Sequence, residues 1–313
     1  MAIMQREQFS DLVLEDALPA LEEVATDTME EEFPMEHEEI YNVRDMDRGI
    51  VQHTGVSGIP AVGSVGEGEE YPMDKFYQGF DKTFRAVKYG VIVPITQELL
   101  DDNQHEEAFD RASALGRSMR EAERISGSSI WNEAFTTAGP DGQALCSTAH
   151  PLVYPGAGTS SNRLAVDADL SLASIEDMTT LMRRTRDMSG KKVVKRPSKL
   201  LVPDALEFLA HELLESESKP QASTAGSATE VNMDNAMRTR YGLKPVVLDY
   251  LTDDDAWFLA AAKGSHKLYW YWRKSPATSS DMEFKSDTAL MKITARWAVG
   301  FSDWRGVAGT PGA

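Results

Sequence analysis

The sequence predicts an α+β fold built around one long helix, one long strand and a small, compact α/β unit. Three observations predict it. Between residues 104 and 135, Ala108, Ala112, Leu115, Met119, Ala122 and Ser126 recur at alternating steps of four and three, which is one stripe of a helix. Near the C-terminus, Phe284, Ala289, Met291, Ile293, Ala295 and Trp297 give a partial two-residue alternation, as on a long strand. Between them, residues 174 to 273 alternate amphipathic helical patterns with short apolar runs.

The totals allow this architecture. The chain has 313 residues, 42% hydrophobic and 26% charged, an ordinary composition for a soluble globular protein with a real core. No run of eighteen apolar residues is present, and the acidic start lacks the basic-then-apolar pattern of a signal peptide. The single cysteine, Cys146, allows neither an internal disulfide nor a cysteine-built zinc site, which fits synthesis in a reducing cytoplasm. Lys and Arg number 32 against 50 Asp and Glu, a net charge of −18 that disfavours sequence-specific DNA binding.

The charge is uneven. Residues 1–50 hold fifteen acids and three Arg. Phe9, Leu12, Val13, Leu18 and Leu21 are spaced roughly as on a helix, but Pro19 interrupts them. A loosely held arm, lying against other chains or mobile, is expected there. Residues 53–72 are glycine-rich and cannot pack a core, whereas the stretch up to Thr96 is rich in β-branched and aromatic residues. Together they predict a projecting hairpin, too poor in apolar contacts to stand alone. A short helix is expected in QELLDDN after Thr96. The long helix follows, with Glu107 and Arg111 at i,i+4 in the favourable order. A helix so long and thinly apolar is expected to lie across a sheet. Further on, Ser174 is the expected cap of a helix burying Ile175, Met178, Leu181 and Met182, and Asp204 that of DALEFLAHELLES. Residues 216–230 read as a flexible loop, and LKPVVLDYL, AWFLAA and KLYWYWR as strands.

The chemistry-bearing candidates are weak. Cys146 and His150 sit four apart in DGQALCSTAHPL, whereas a thiol nucleophile and its base usually meet from distant parts of the sequence. Asp141-Gly142 makes a turn and Pro151 ends any regular element, so the pair is expected to ride as passengers on a connector. His211 and Glu215 give half of a zinc-protease helix, without the second His. Asp253, Asp254 and Asp255 read as a solvated turn, and Tyr269–Arg273 as a core strand. No catalytic, cofactor-binding or metal-binding residue is assigned.

The order of these segments resembles the major capsid proteins of tailed phages, of the Hong Kong 97-type fold, and most closely the Mu-like major head subunits. Val65–Pro72 with Ala86–Asn103 resemble the family's extended loop and its return, and His105–Phe135 its spine helix. GPDGQALCSTAHP resembles its connector, Ser174–Arg273 its axial domain and Phe284–Arg305 the closing strand of its peripheral domain. The resemblance implies an N-terminal arm (1–52), an extended loop (53–95), a peripheral domain (96–173 and 278–313, with the spine helix at 105–135) and an axial domain (174–277). It implies a non-enzymatic shell protein of the virion, made in the host bacterial cytoplasm. Copies would associate as hexamers and pentamers around packaged double-stranded DNA, without sequence-specific binding and without a membrane. The implied assembly contacts are Glu67, Glu69, Glu70, Lys75, Lys82 and Arg85 of the loop and Arg111 and Arg117 of the spine. The short stretch before the loop implies a separate scaffold protein, or none. A portal, and a decoration protein where the shell carries one, complete the implied partners. A nanocompartment shell of the same fold, or a cysteine hydrolase, are the rival expectations.

Overall fold

The computed structural model describes residues 14–31, 36–58, 64–71, 73, 78–96, 99, 105–153, 158–188, 190–216, 237–283 and 288–313. Two four-stranded sheets organise them. The larger has the order β1-β10-β11-β4, and the smaller β12-β9-β7-β8.

The C-terminal alternation forms β11 (Thr288–Asp303), the centre of the larger sheet. It pairs antiparallel with β10 (Lys267–Glu283) on one side and β4 (Val87–Thr96) on the other. Ala289, Met291, Ile293, Ala295 and Trp297 are all buried, as their period predicts. β1 (Asn42–Asp45) closes the far edge, parallel to β10. Four rings pack in series across this sheet. Tyr89 of β4 stacks on Trp297 at 4.0 Å, Trp297 on Trp270 of β10 at 5.7 Å, and Trp270 on His37 at 4.1 Å. His37 belongs to the short helix α2 (Glu36–Ile40). Burial holds its pKa down to about 4, so the imidazole in this stack is neutral near pH 7.

The predicted long helix is α3 (His105–Asn132), 28 residues lying across β4 and β11. Ala108, Ala112, Leu115, Met119 and Ser126 are buried along the predicted stripe. The other side of α3 is covered by α1 (Leu14–Glu31), and this corrects the expectation of a loosely held arm. α1 continues through Pro19, its sixth residue, where the missing N–H costs one ladder hydrogen bond that the packing against α3 offsets. It buries Leu21, Ala25 and Met29 against α3, and Ile40 and Tyr41 enter the same core. Burying Leu21 and Met29 contributes about 1.5–3 kcal/mol each, enough to hold an acidic segment on which Glu23 and Asp27 are exposed. Phe9, Leu12 and Val13 lie outside the described residues, as does most of QELLDDN.

The hairpin forms from β2 (Ile50–Val56) and β3 (Gln78–Arg85). The expected return limb therefore divides at Ala86: β3 stays with the hairpin, while β4 joins the larger sheet along its full length. At the base, Phe84 packs with Met46, Tyr269 and Tyr271, and Tyr271 Oη lies 2.6 Å from His53 Nε2. The far end of the ladder also leans on its own chain, with Gly55 and Gly79 against Met188 and Gly58 N–H donating to Asp187.

The smaller sheet combines β7 (Pro197–Val202), β8 (Lys244–Val247), β9 (Trp257–Ala261) and β12 (Val307–Thr310). Helices α4 (Leu172–Arg183) and α5 (Glu207–Glu215) pack with it, burying Ile175, Met178, Met182, Ala210, Leu213 and Leu214. The cap of α4 is Ser171 rather than Ser174; Ser174 is its partner in a reciprocal capping box. Asp204 does not cap α5 but begins a 3-10 turn (Asp204–Leu206) that precedes it. The flexible-loop reading of 216–230 falls almost wholly outside the described residues. The expected division at 277/278 falls inside β10, and β12 returns to the smaller sheet. The two units are therefore joined by consecutive strands, β9 to β10 and β11 to β12, that pass from one sheet to the other.

Candidate functional site

The connector after α3 is more ordered than a passenger segment. Gly142 adopts φ +77°, and Gly139 and Gln143 close the turn through an N–H to carbonyl bond of 2.6 Å. This brings Asp141 back toward His150, whose ring is fully buried. Asp141 Oδ2 lies 2.6 Å from His150 Nδ1, and Asn162 Oδ1 lies 3.0 Å from His150 Nε2. Asn162 is itself fixed by backbone. Its amide nitrogen donates to the Leu145 and Val307 carbonyls, and its oxygen accepts from Ser147 N–H. With Asn162 oriented in this way, its Oδ1 accepts from His150 Nε2. The imidazole stacks on Trp304 at 4.2 Å. His150 is therefore the hub joining the turn, the strand pair β5–β6 (His150–Pro151 with Thr159–Ser160) and the C-terminal strand β12. The expectation that it is a passenger is wrong. No pattern in its immediate neighbourhood could have found Asn162, twelve residues away.

Cys146 does not join this network. It is buried in the main core beneath Gly309, where an added Cβ would meet its Sγ at 3.1 Å. Burial pushes its thiol far above the ordinary range, the opposite of what a nucleophile needs. His211 and Glu215 form a surface pair at 3.4 Å, and Asp253–Asp255 are exposed, as read from sequence. Among the described residues, no cluster of His, Cys, Asp and Glu could hold a metal.

The residues expected to make assembly contacts fall into three places. Glu67, Glu69 and Glu70 stand together, exposed, on a turn that Glu69 closes onto Gly66 at the hairpin tip. Lys82 and Arg85 lie on β3; Lys82 is half-buried over the Phe301 ring at 5.7 Å, and Arg85 is exposed. Arg111 is tied to Glu107 at 2.6 Å, as its spacing predicts, and reaches the Pro94 carbonyl, while Arg117 is exposed on α3. Lys75 lies outside the described residues. Sequence reasoning did not single out two exposed apolar features. Tyr71 and Met73 lie beside the acidic tip, 84% and 98% exposed, and Val87, Val91 and Ile92 are exposed along β4, the edge of the larger sheet. An unpaired apolar edge strand is a ready surface for another chain.

The inner interface between α1, α2 and α3 carries unusual electrostatics. Glu123 of α3 is fully buried; one oxygen takes Arg120 at 3.1 Å and the other has no hydrogen-bond partner among the described residues. Burial pushes its pKa up to about 7. Glu36 is raised to about 7 as well, by burial and then by Asp249. Arg120 also donates to the Met29 carbonyl at 2.5 Å, and Tyr41 Oη to the Gly127 carbonyl at 2.5 Å, so the arm is latched onto the long helix by polar contacts as well as apolar ones.

Comparison with known proteins agrees with this geometry. A family described as phage capsid protein matches residues 80–309. Among solved structures, a capsid chain of Myoviridae phage XM1 aligns over 100% of this chain and 99% of its own at 10% identity, TM-score 0.51. A structure from Microbacterium phage Oxtober96 aligns over 87% and 88% at 15% identity, TM-score 0.50. The virus-like particle of Pyrococcus furiosus aligns over 93% and 98% at 8% identity, TM-score 0.54. No curated protein matches the sequence. At these identities the structures speak for the fold, which is the α+β capsid fold of the Hong Kong 97 type. The family match runs from β3 into β12 and takes in the long helix, the connector, the smaller sheet and three of the four strands of the larger one, and the chain therefore belongs to the phage capsid protein family.

Proposed function

We propose that this chain is a major head protein whose copies assemble, as hexamers and pentamers, into the closed icosahedral shell of a tailed phage around its packaged DNA. The observation that carries the reading is the exposed segment between the hairpin strands. The strands are anchored on their own chain, but the segment between them presents Tyr71 and Met73 to solvent beside Glu67, Glu69 and Glu70. Exposing two large apolar side chains there makes physical sense when another chain covers them. The apolar edge at Val87, Val91 and Ile92 supports the same conclusion. The larger sheet with α1 and α3 serves as the peripheral domain, and the smaller sheet with α4 and α5 as the axial domain.

A separate scaffold protein and a portal complete the head in this reading, and a decoration protein binds outside where one is present. Synthesis takes place in the host cytoplasm and the mature protein resides in the virion. The role is structural rather than enzymatic; a buried thiol with a raised pKa speaks against the cysteine-hydrolase alternative. A nanocompartment shell would share the fold, and the match to a family of phage capsid proteins favours the phage reading over it. Light scattering of the expressed chain tests assembly: megadalton particles or capsomer-sized rings are expected, and a monomer under all conditions would refute it.

A further inference from the structure

The net charge of −18 conceals one strongly basic stretch. Residues 183–199, RRTRDMSGKKVVKRPSK, hold eight of the chain's 32 Lys and Arg and one acid, Asp187. The stretch runs from the end of α4 to the start of β7. It forms one wall of a cleft of about 610 Å³, where Lys191, Lys192 and Lys195 are joined by Lys267 at the start of β10 and Arg305 just after β11. Five cations thus line the cleft with two carboxylates, and both carboxylates are already engaged. Asp187 accepts from Gly58 N–H at 2.8 Å and Met188 N–H at 2.5 Å. Asp303 accepts from Arg305 Nη1 at 2.8 Å and from the Arg305 backbone at 3.2 Å.

Arg305 is the most constrained member. It is 7% exposed, its Nε donates to the Arg186 carbonyl at 2.6 Å, and its Nη2 is buried without a partner. Lys195 donates to the Ser265 carbonyl at 2.5 Å, which uses one of its three N–H groups. Its pKa is lowered, first by burial; Asp303 opposes this, while Lys267 and Arg305 add to it. Five cations against two carboxylates leave the lining of the cleft with a net positive charge.

We propose that this cleft binds a phosphate-type oxyanion, held by Lys191, Lys192, Lys195 and Lys267 against the buried wall of Arg305. Four ammonium groups on flexible stems can surround a tetrahedral anion from several sides. A planar carboxylate is met best by an open guanidinium fork, and the fork of Arg305 already carries Asp303. The phosphate can come from free inorganic phosphate or from a phosphodiester backbone.

Titration calorimetry on the full chain with inorganic phosphate, at fixed ionic strength, tests the site. Saturable binding near one per chain is expected, with competition by sulfate and none by acetate. The double variant Lys192→Glu with Lys267→Glu changes two exposed side chains and should weaken phosphate at least tenfold at an unchanged thermal midpoint. Reversal of Arg196 and Arg240, which line a different cleft, should leave it unchanged. Absence of saturable binding, equal affinity for acetate, or an unweakened double variant would overturn the proposal, as would a glutamate-rich peptide that displaces phosphate. A short DNA oligonucleotide that displaces phosphate assigns the site to phosphodiesters, and one that does not assigns it to the free ion.

Discussion

His150 Nδ1 lies 2.6 Å from Asp141 Oδ2 in a pocket from which both side chains are almost completely excluded from solvent. The contact fixes the connector against the end of the chain, through Asn162 and the Val307 carbonyl. Removing one partner leaves a buried polar atom of the other without its bond, at a cost of about 1–3 kcal/mol. His150→Ala and Asp141→Ala should each lower the thermal midpoint sharply. Cys146→Ala removes one sulfur from an apolar site, costs about 1 kcal/mol and should leave assembly intact. Thermal unfolding and particle yield of the three variants check this; equal damage from all three would mean that the network is not the hub.

Gly116 and Gly127 sit in the same helix and should respond in opposite ways. A Cβ at Gly116 would lie 2.4 Å from the Ala25 carbonyl oxygen, a backbone atom of α1. Gly116→Ala should push α1 off α3, cost about 1–3 kcal/mol and expose the arm to protease. At Gly127 the nearest atom is His37 Cβ at 3.6 Å, so Gly127→Ala should be tolerated and gain up to about 1 kcal/mol of helix propensity. Limited proteolysis with thermal melts separates the two.

The buried Glu123 makes stability depend on pH. With its folded pKa raised to about 7, the folded chain binds a proton that the unfolded chain binds only near 4.5. The contribution is fully present below about 4.5 and is lost as pH rises through 7. Glu36, also raised to about 7, acts with the same sign. His37, lowered to about 4, acts with the opposite sign, losing stability as pH falls from 6.5 to 4. Glu123→Gln removes one of the two acid-favouring groups. The stability of the native chain relative to this variant should rise by on the order of 2 kcal/mol between pH 7.5 and 4.5, measured by denaturant unfolding. A constant difference across that range would contradict the assignment.

The acidic tip should matter to association and not to folding. Glu67, Glu69 and Glu70 are exposed, and reversing all three to Lys should change the thermal midpoint of the isolated chain little. Particle yield should fall at least tenfold, because the reversed tip meets the wrong charge on its neighbour. Normal yield would remove these residues from the assembly surface.

Where a periodic pattern decided burial, the structure was legible in the sequence. Ala108 to Ser126 and Ala289 to Trp297 carried the long helix and the central strand, because a stripe and an alternation each have one solution against a single sheet. The arm was not legible in the same way. Its fifteen acids outweighed the Leu21–Ala25–Met29 spacing, although three buried side chains suffice to dock a helix on a glycine-notched partner. The hairpin's division at Ala86 was hidden because β3 and β4 follow one another across that single residue, and which strand each pairs with is decided only in three dimensions. The role of His150 was hidden for a similar reason, since Asp141, Asn162 and Trp304 meet it only in three dimensions.

Electron microscopy of the expressed chain tests the central claim most directly. Closed shells, or rings of five and six subunits, are predicted, with the hairpin tip of each copy lying on a neighbour and Tyr71 and Met73 covered. A small monodisperse monomer or dimer under all conditions, with the tip still in solvent, would contradict it.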